Sequence, residues 1–168
     1  MPRSFDLTAE YNATVDQVHG AFTHEDYWLA RLADSGADTA TLDSMRVRPD
    51  GGVDIATTQA LRADRLPAVA TQLHRGDLHV VRSEKWSPVT GGEAHGEITG
   101  NIPGAPASLL GKAVLRPTEA GSRLEFTATI EVNIPLVGGK VETLIGGALT
   151  ELFIAEQRFT AAWIAENA

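Results

Sequence analysis

The sequence predicts an α+β fold: a curved antiparallel sheet of about six or seven strands wrapped around a long C-terminal helix, with two short helices after the first strand. Three observations predict it. Segments in which apolar and polar residues alternate follow one another, separated by Gly, Pro and Asp turn residues. Two capping signals stand between the first such segment and the rest. From Lys140 onward the apolar residues change to helical spacing and hold it for about 27 residues, ~40 Å at 1.5 Å per residue.

The elements follow in order. Ser4 to Tyr11 alternates, with Phe5, Leu7, Ala9 and Tyr11 on one face. Thr14 and Gln17 have capping-box spacing and open a helix through Val15, Val18 and Phe22. Thr23 and Asp26 offer a second start, for a helix carrying Trp28, Leu29 and Leu32 and stopped at Gly36. Thr39 to Arg48 and Gly52 to Ala63 read as strands joined at Pro49-Asp50-Gly51-Gly52, with Val53, Ile55, Thr57, Gln59 and Leu61 on one face of the second. Leu66 to His74 reads as a short helical turn in a long loop. Leu78 to Val89 and Glu93 to Ile102 form the next pair, and Ser108 to Arg116 and Ser122 to Ile134 the last. In the final strand Leu124, Phe126, Ala128, Ile130, Val132 and Ile134 face in. Short turns between consecutive strands require antiparallel pairing, and a large twisted sheet with one apolar face curls around whatever covers that face.

The long helix is expected to turn Val141, Leu144, Ile145, Ala148, Leu149, Leu152, Ala155, Phe159, Ala162 and Trp163 inward, with Pro135 in its first turn. On this projection Glu156 is a flank carboxylate reaching solvent. Gly146-Gly147 within the helix implies either close backbone packing or a mobile entrance.

The chain has 168 residues, 43% of them hydrophobic, and reads as one domain spanning 1–168. Twenty-two acidic against 14 basic residues give a net charge of −8. With no basic run, nucleic acid is not an expected partner. The absence of cysteine excludes disulfides and thiolate chemistry. The N-terminal residues lack the apolar core of a signal peptide, and charged residues interrupt the last helix. Together these predict a cytoplasmic protein without stable membrane insertion. No feature specifies an oligomeric state.

Three stretches carry a family likeness: ATVDQVHGAFTHEDYWLARL at 13–32, LHVVRSEKW at 78–86, and the terminal helix after NIPLVGGKVETL. With the order of elements, they resemble the START-like (SRPBCC) helix-grip superfamily, in an uncharacterised bacterial branch. That superfamily includes the birch-pollen-allergen fold, lipid-transfer domains and polyketide cyclases or dehydratases. The resemblance implies a cavity between helix and sheet that holds a hydrophobic small molecule such as a lipid, an acyl chain or an aromatic polyketide-like compound.

The residues supply an independent argument for space. Gly96, Gly100, Gly111, Ala113, Ala128, Ala148, Ala155 and Ala162 are small and placed inward, which points to a pocket of a few hundred Å3. Its expected lining is Trp28, Ile55, Gln59, Arg82, Glu84, Trp86, Phe126, Ile130, Ile145, Leu149 and Leu152. Gln59 needs a hydrogen-bond partner among apolar neighbours. If Trp86 points inward, Arg82 and Glu84 share its face and should pair; the opposite register would bury Val81 instead.

No HExxH, GxSxG, Walker or GxGxxG motif is present. His74, Asp77 and His79 lie near one another without a further ligand at metal-site spacing, so neither metal nor cofactor is expected. The leading expectation is a noncatalytic binder or carrier. One alternative is a cyclase- or dehydratase-like enzyme using Glu84 or Glu156 as acid or base. Another is an interaction module, with Ile154 outward and Phe153 at its edge.

Overall fold

The computed structural model describes residues 2–62 and 76–167. The expected helical turn at Leu66 to His74 lies outside the described residues. In chain order the elements are β1 (Arg3–Tyr11), α1 (Val15–Phe22), α2 (Glu25–Ala33), β2 (Thr39–Val47), β3 (Val53–Leu61), β4 (Leu78–Trp86), β5 (Ala94–Asn101), β6 (Ala107–Pro117), β7 (Ser122–Val132) and α3 (Gly138–Asn167). The strands form one seven-stranded sheet in the order β1-β7-β6-β5-β4-β3-β2. Every pairing is antiparallel. The consecutive hairpins follow from their short turns, whereas β1 crosses to β7, so that Ser4 meets Thr129.

Each element obeys a local rule. The Thr14 side chain accepts from the Gln17 backbone N–H, and the Gln17 side chain accepts from the Thr14 N–H, completing the capping box of α1. Thr14→Ala should cost about 1 kcal/mol, read as a lower urea midpoint at unchanged m-value. The second helix starts differently from expectation. Thr23 ends α1, its hydroxyl donating to the Gly20 carbonyl, and His24 takes the cap position of α2 without a side-chain cap bond. Edge strand β2 carries a bulge between Leu42 and Ser44. There Asp43 accepts from Thr41 and Thr58, a local kink of the kind that blunts edge-to-edge pairing.

β7 shows the cleanest alternation, with Leu124, Phe126, Ala128, Ile130 and Val132 buried. β4 turns Leu78, Glu84 and Trp86 inward, and the register pairs Trp86 with Gly96 of β5.

Helix α3 has 30 residues, begins at Gly138 and leaves Pro135 outside its first turn. It crosses the inner face from β1 to β4. Near its start the Phe5 ring lies where a Gly146 side chain would be, so this glycine serves close packing. Further along, Gln157 Nε2 donates to the Glu10 carbonyl and Arg82 of β4 bonds Glu156. The buried seam runs through Val141, Glu142, Gly146, Thr160 and Ile164. The expected stripe is therefore rotated: Leu144, Ala148, Ala155 and Ala162 are exposed. Phe153, expected at the outer edge, instead stacks on Phe126 at 5.9 Å between ring centroids.

Glu142 is fully buried, and its Oε2 accepts the Val132 backbone N–H at 2.9 Å. A carboxylate on the helix's first turns thus caps the end of β7, something a scheme based on apolar period has no means of placing.

Candidate functional site

Two layers of side chains meet between α2, α3 and the β3–β4 pair. One is apolar: Trp28 and Leu32 from α2, and Leu152 and Phe159 from α3. The other is charged. Arg31 comes from α2, Arg82 and Glu84 from β4, and Glu156 from α3.

The geometry follows from secondary-structure period. Arg82, Glu84 and Trp86 are alternate residues of one strand and share its inner face. Arg31 sits three residues after Trp28, so its guanidinium lies over that indole, with Cζ 4.7 Å from the ring centroid. Glu156 stands one turn before Thr160, whose hydroxyl donates to the Glu156 carbonyl at 2.7 Å. That hydroxyl proton being committed, Tyr27 donates to Thr160 across 2.5 Å. Arg31 in turn donates to the Tyr27 oxygen at 3.3 Å.

The four charges form a closed set. The two terminal nitrogens of Arg82 grip Glu156 at 2.8 and 3.1 Å, a bidentate fork. Arg82 Nη2 also lies 3.0 Å from Glu84 Oε2. Arg31 Nη2 bonds Glu156 Oε1 and stands 3.7 Å from Glu84 Oε2. The other Glu84 oxygen accepts the Trp86 indole N–H at 3.1 Å. Side-chain exposure runs from 6% at Glu84 through 10% at Arg31 and 18% at Glu156 to 20% at Arg82, low enough for the pairs to escape most solvent screening.

Burial pushes the Glu156 carboxyl up. The attraction of Arg31 and Arg82, with the hydrogen bonds they donate, outweighs it and brings the group down from 4.5 to about 2. Burial likewise lowers both arginines, and the carboxylates reverse the direction. Glu156 is thus a paired buried anion, not the solvent-reaching flank residue expected. Fixed near 2 and held by two guanidiniums, it is poorly matched to acid–base work near neutrality.

The cleft enclosed by these layers has room for about 50 Å3 of water, a few molecules at ~10–15 Å3 each. That is smaller than the expected few hundred. Gly96 and Gly111 do not leave the space their size suggested, because rings fill it. A Cβ on Gly96 would lie 2.9 Å from the Trp86 indole, and one on Gly111 would meet the Phe126 ring.

Of the expected lining, Trp28, Gln59, Arg82, Glu84 and Leu152 border the cleft. Ile55, Trp86, Phe126 and Ile130 are buried core residues that do not border it. Ile145 and Leu149 are half-buried earlier on α3, packed against the cluster of Leu78, Ala107, Ile130, Val132 and Val141. Arg31, Leu32, Asp34, Ser35, Thr57, Ala155, Glu156 and Phe159 complete the cleft; none was named in the expected lining, although Thr57, Ala155 and Phe159 were placed on inward faces. The spacing Trp28-x-x-Arg31 on an amphipathic helix was the available signal for Arg31. Among the described residues no group of three His, Cys, Asp or Glu side chains is placed to hold a metal, and no helix is long and apolar enough to cross a membrane. His74 lies outside the described residues.

The family model described as "Protein of unknown function (DUF2505)" matches residues 6–164. The chain is 50% identical to the uncharacterized proteins Rv0481c of Mycobacterium tuberculosis and Mb0491c of Mycobacterium bovis, with 99% of each chain covered. Among solved structures it resembles TTHA0849 from Thermus thermophilus, at TM-score 0.63 and 12% identity over 100% of this chain and 99% of that one. It also resembles Ara h 8.0201, at TM-score 0.57 and 12% identity over 96% and 99% of the two chains. At such identities the likeness concerns the fold, a helix-grip arrangement of sheet and terminal helix.

Proposed function

We propose, from the premise that the chain belongs to the DUF2505 family, that this protein binds a small amphipathic molecule without transforming it. The polar end of the ligand lies at the Arg31–Arg82–Glu84–Glu156 cluster. Its apolar body lies against Leu32, Leu152 and Phe159. One observation carries the reading: apolar side chains from two helices converge on buried, fully formed charge pairs in a recess that still admits water. A recess serving stability alone has no need of charges, since apolar side chains of similar volume often do as well or better. The helix-grip fold supports the same reading, being of a kind that holds hydrophobic ligands. Affinity would come from apolar burial at ~25 cal/mol per Å2, and orientation from the polar end.

Titration of the labelled protein with 1-octanol and with octanoate, followed by NMR, tests the proposal. Saturable shifts confined to the cleft residues are expected with at least one of them. Ala155 is exposed at the mouth of the recess, so Ala155→Phe should narrow it and weaken binding at least tenfold at unchanged melting temperature. Shifts that never saturate, or that ignore this substitution, would remove the proposal.

A further inference from the structure

The charge pairs also bear on what kind of polar end the cleft accepts, an inference that rests on the binding reading above. Two arginines ordinarily suggest an anion site, and here they do not make one. Arg31 and Arg82 are matched by Glu84 and Glu156, and exposed Asp34 adds a further negative charge at the mouth. The terminal nitrogens of Arg82 are spent on Glu156 and Glu84. A carboxylate entering the cleft would shed its water and meet no cation in excess. An ammonium would displace a guanidinium from a carboxylate already gripped by two.

One donor is left over. Arg82 Nε is buried and has no hydrogen-bond partner among the described residues. Such a group is expensive to leave unmade; it is shielded from water, so a ligand oxygen reaches it on a shift of the guanidinium, and one that then accepts from it adds no charge. Gln59 and Thr57 border the same recess and add uncharged polar groups around it. The room of about 50 Å3 suits a hydroxyl or carbonyl head with its first carbons.

We propose that the cleft selects ligands whose polar end is an uncharged hydrogen-bond acceptor, an alcohol or ketone oxygen on an apolar body, and discriminates against carboxylates and amines of the same length.

Four probes with a common tail test this: 1-octanol, octan-2-one, octanoate and octylammonium, titrated at pH 7 against the full chain. The alcohol and the ketone should bind at least tenfold more tightly than either ion. Octanoate binding as tightly as 1-octanol overturns the selectivity and leaves the binding reading intact. No saturable binding by any of the four overturns the binding reading itself. Two substitutions separate charge matching from a merely structural role. Glu156→Gln leaves one guanidinium in excess and should shift the preference toward octanoate by at least tenfold relative to 1-octanol. Arg31→Met leaves one carboxylate in excess and should shift it toward octylammonium. A loss common to all four probes in both variants would contradict charge matching, and the wild-type comparison decides the matter if either variant fails to fold.

Discussion

Glu156→Gln is expected to lower the stability of the protein by about 3 kcal/mol at neutral pH, the scale for breaking a buried ion pair by removing one partner. For a chain of this size that is a fall of about 6–12 °C in melting temperature. The substitution keeps the shape of the side chain and removes its charge, leaving Arg31 and Arg82 beside one carboxylate. The pH dependence gives an independent check. The folded-state pKa of Glu156 is depressed to about 2 from 4.5. The stability it contributes is therefore complete above the unfolded-state value and is lost as pH falls from about 4.5 to about 2. At about 1.36 kcal/mol for each pKa unit, the interval again corresponds to about 3 kcal/mol. Urea unfolding of wild type and variant at pH 7 and pH 3 should show the gap narrowing in acid. A gap that stays constant would mean that Glu156 is not held ionised by the arginines.

Trp86→Ala should cost about 3–5 kcal/mol, as a large buried aromatic does when deleted. Its indole is 2% exposed, lies 5.0 Å from the Phe22 ring and donates to Glu84. The informative experiment adds Gly96→Ala. In the wild type the new methyl would meet the indole at 2.9–3.0 Å. The ring is also held by Phe22 and by its bond to Glu84, so the substitution should cost about 1–3 kcal/mol through overpacking. Without the indole, the same change should be neutral or slightly stabilising, because alanine suits a strand interior better than glycine. The double-mutant cycle should then report a coupling of about 2 kcal/mol between positions that are register partners. Independent effects would mean that the ring and the glycine do not share this space.

The strands were legible because their alternation is regular and their turns are chemically explicit. Ser122 to Val132 and the Thr14 capping box are cases in which local pattern and structure coincide. What escaped reading depends on partners remote in sequence. Glu142 and Glu156 interrupt the apolar stripe of α3, so a periodicity argument places them outside. They are buried because the Val132 N–H, Arg31 and Arg82 await them. With alanines and leucines on both flanks of α3, the stripe's centre was poorly fixed and came out rotated. The glycines misled for a related reason: an inward glycine marks a hollow only if no opposing ring occupies it. For Gly96 the clue was present, since the hairpin register faces it with Trp86. The inward face of β4 followed once Trp86 was placed inside, bringing Arg82 and Glu84 with it.

The first strand closes the sheet against the last, so Ser4 and Thr129 bond across a separation of 125 residues. During synthesis β1 leaves the ribosome long before β7 exists, and its apolar side must wait unpaired. The cleft waits longer still, since Glu156 arrives with the final helix. Such distant closures raise the mean sequence separation of contacts and slow folding, and a nascent chain that stops short of residue 156 has its strands but no finished site.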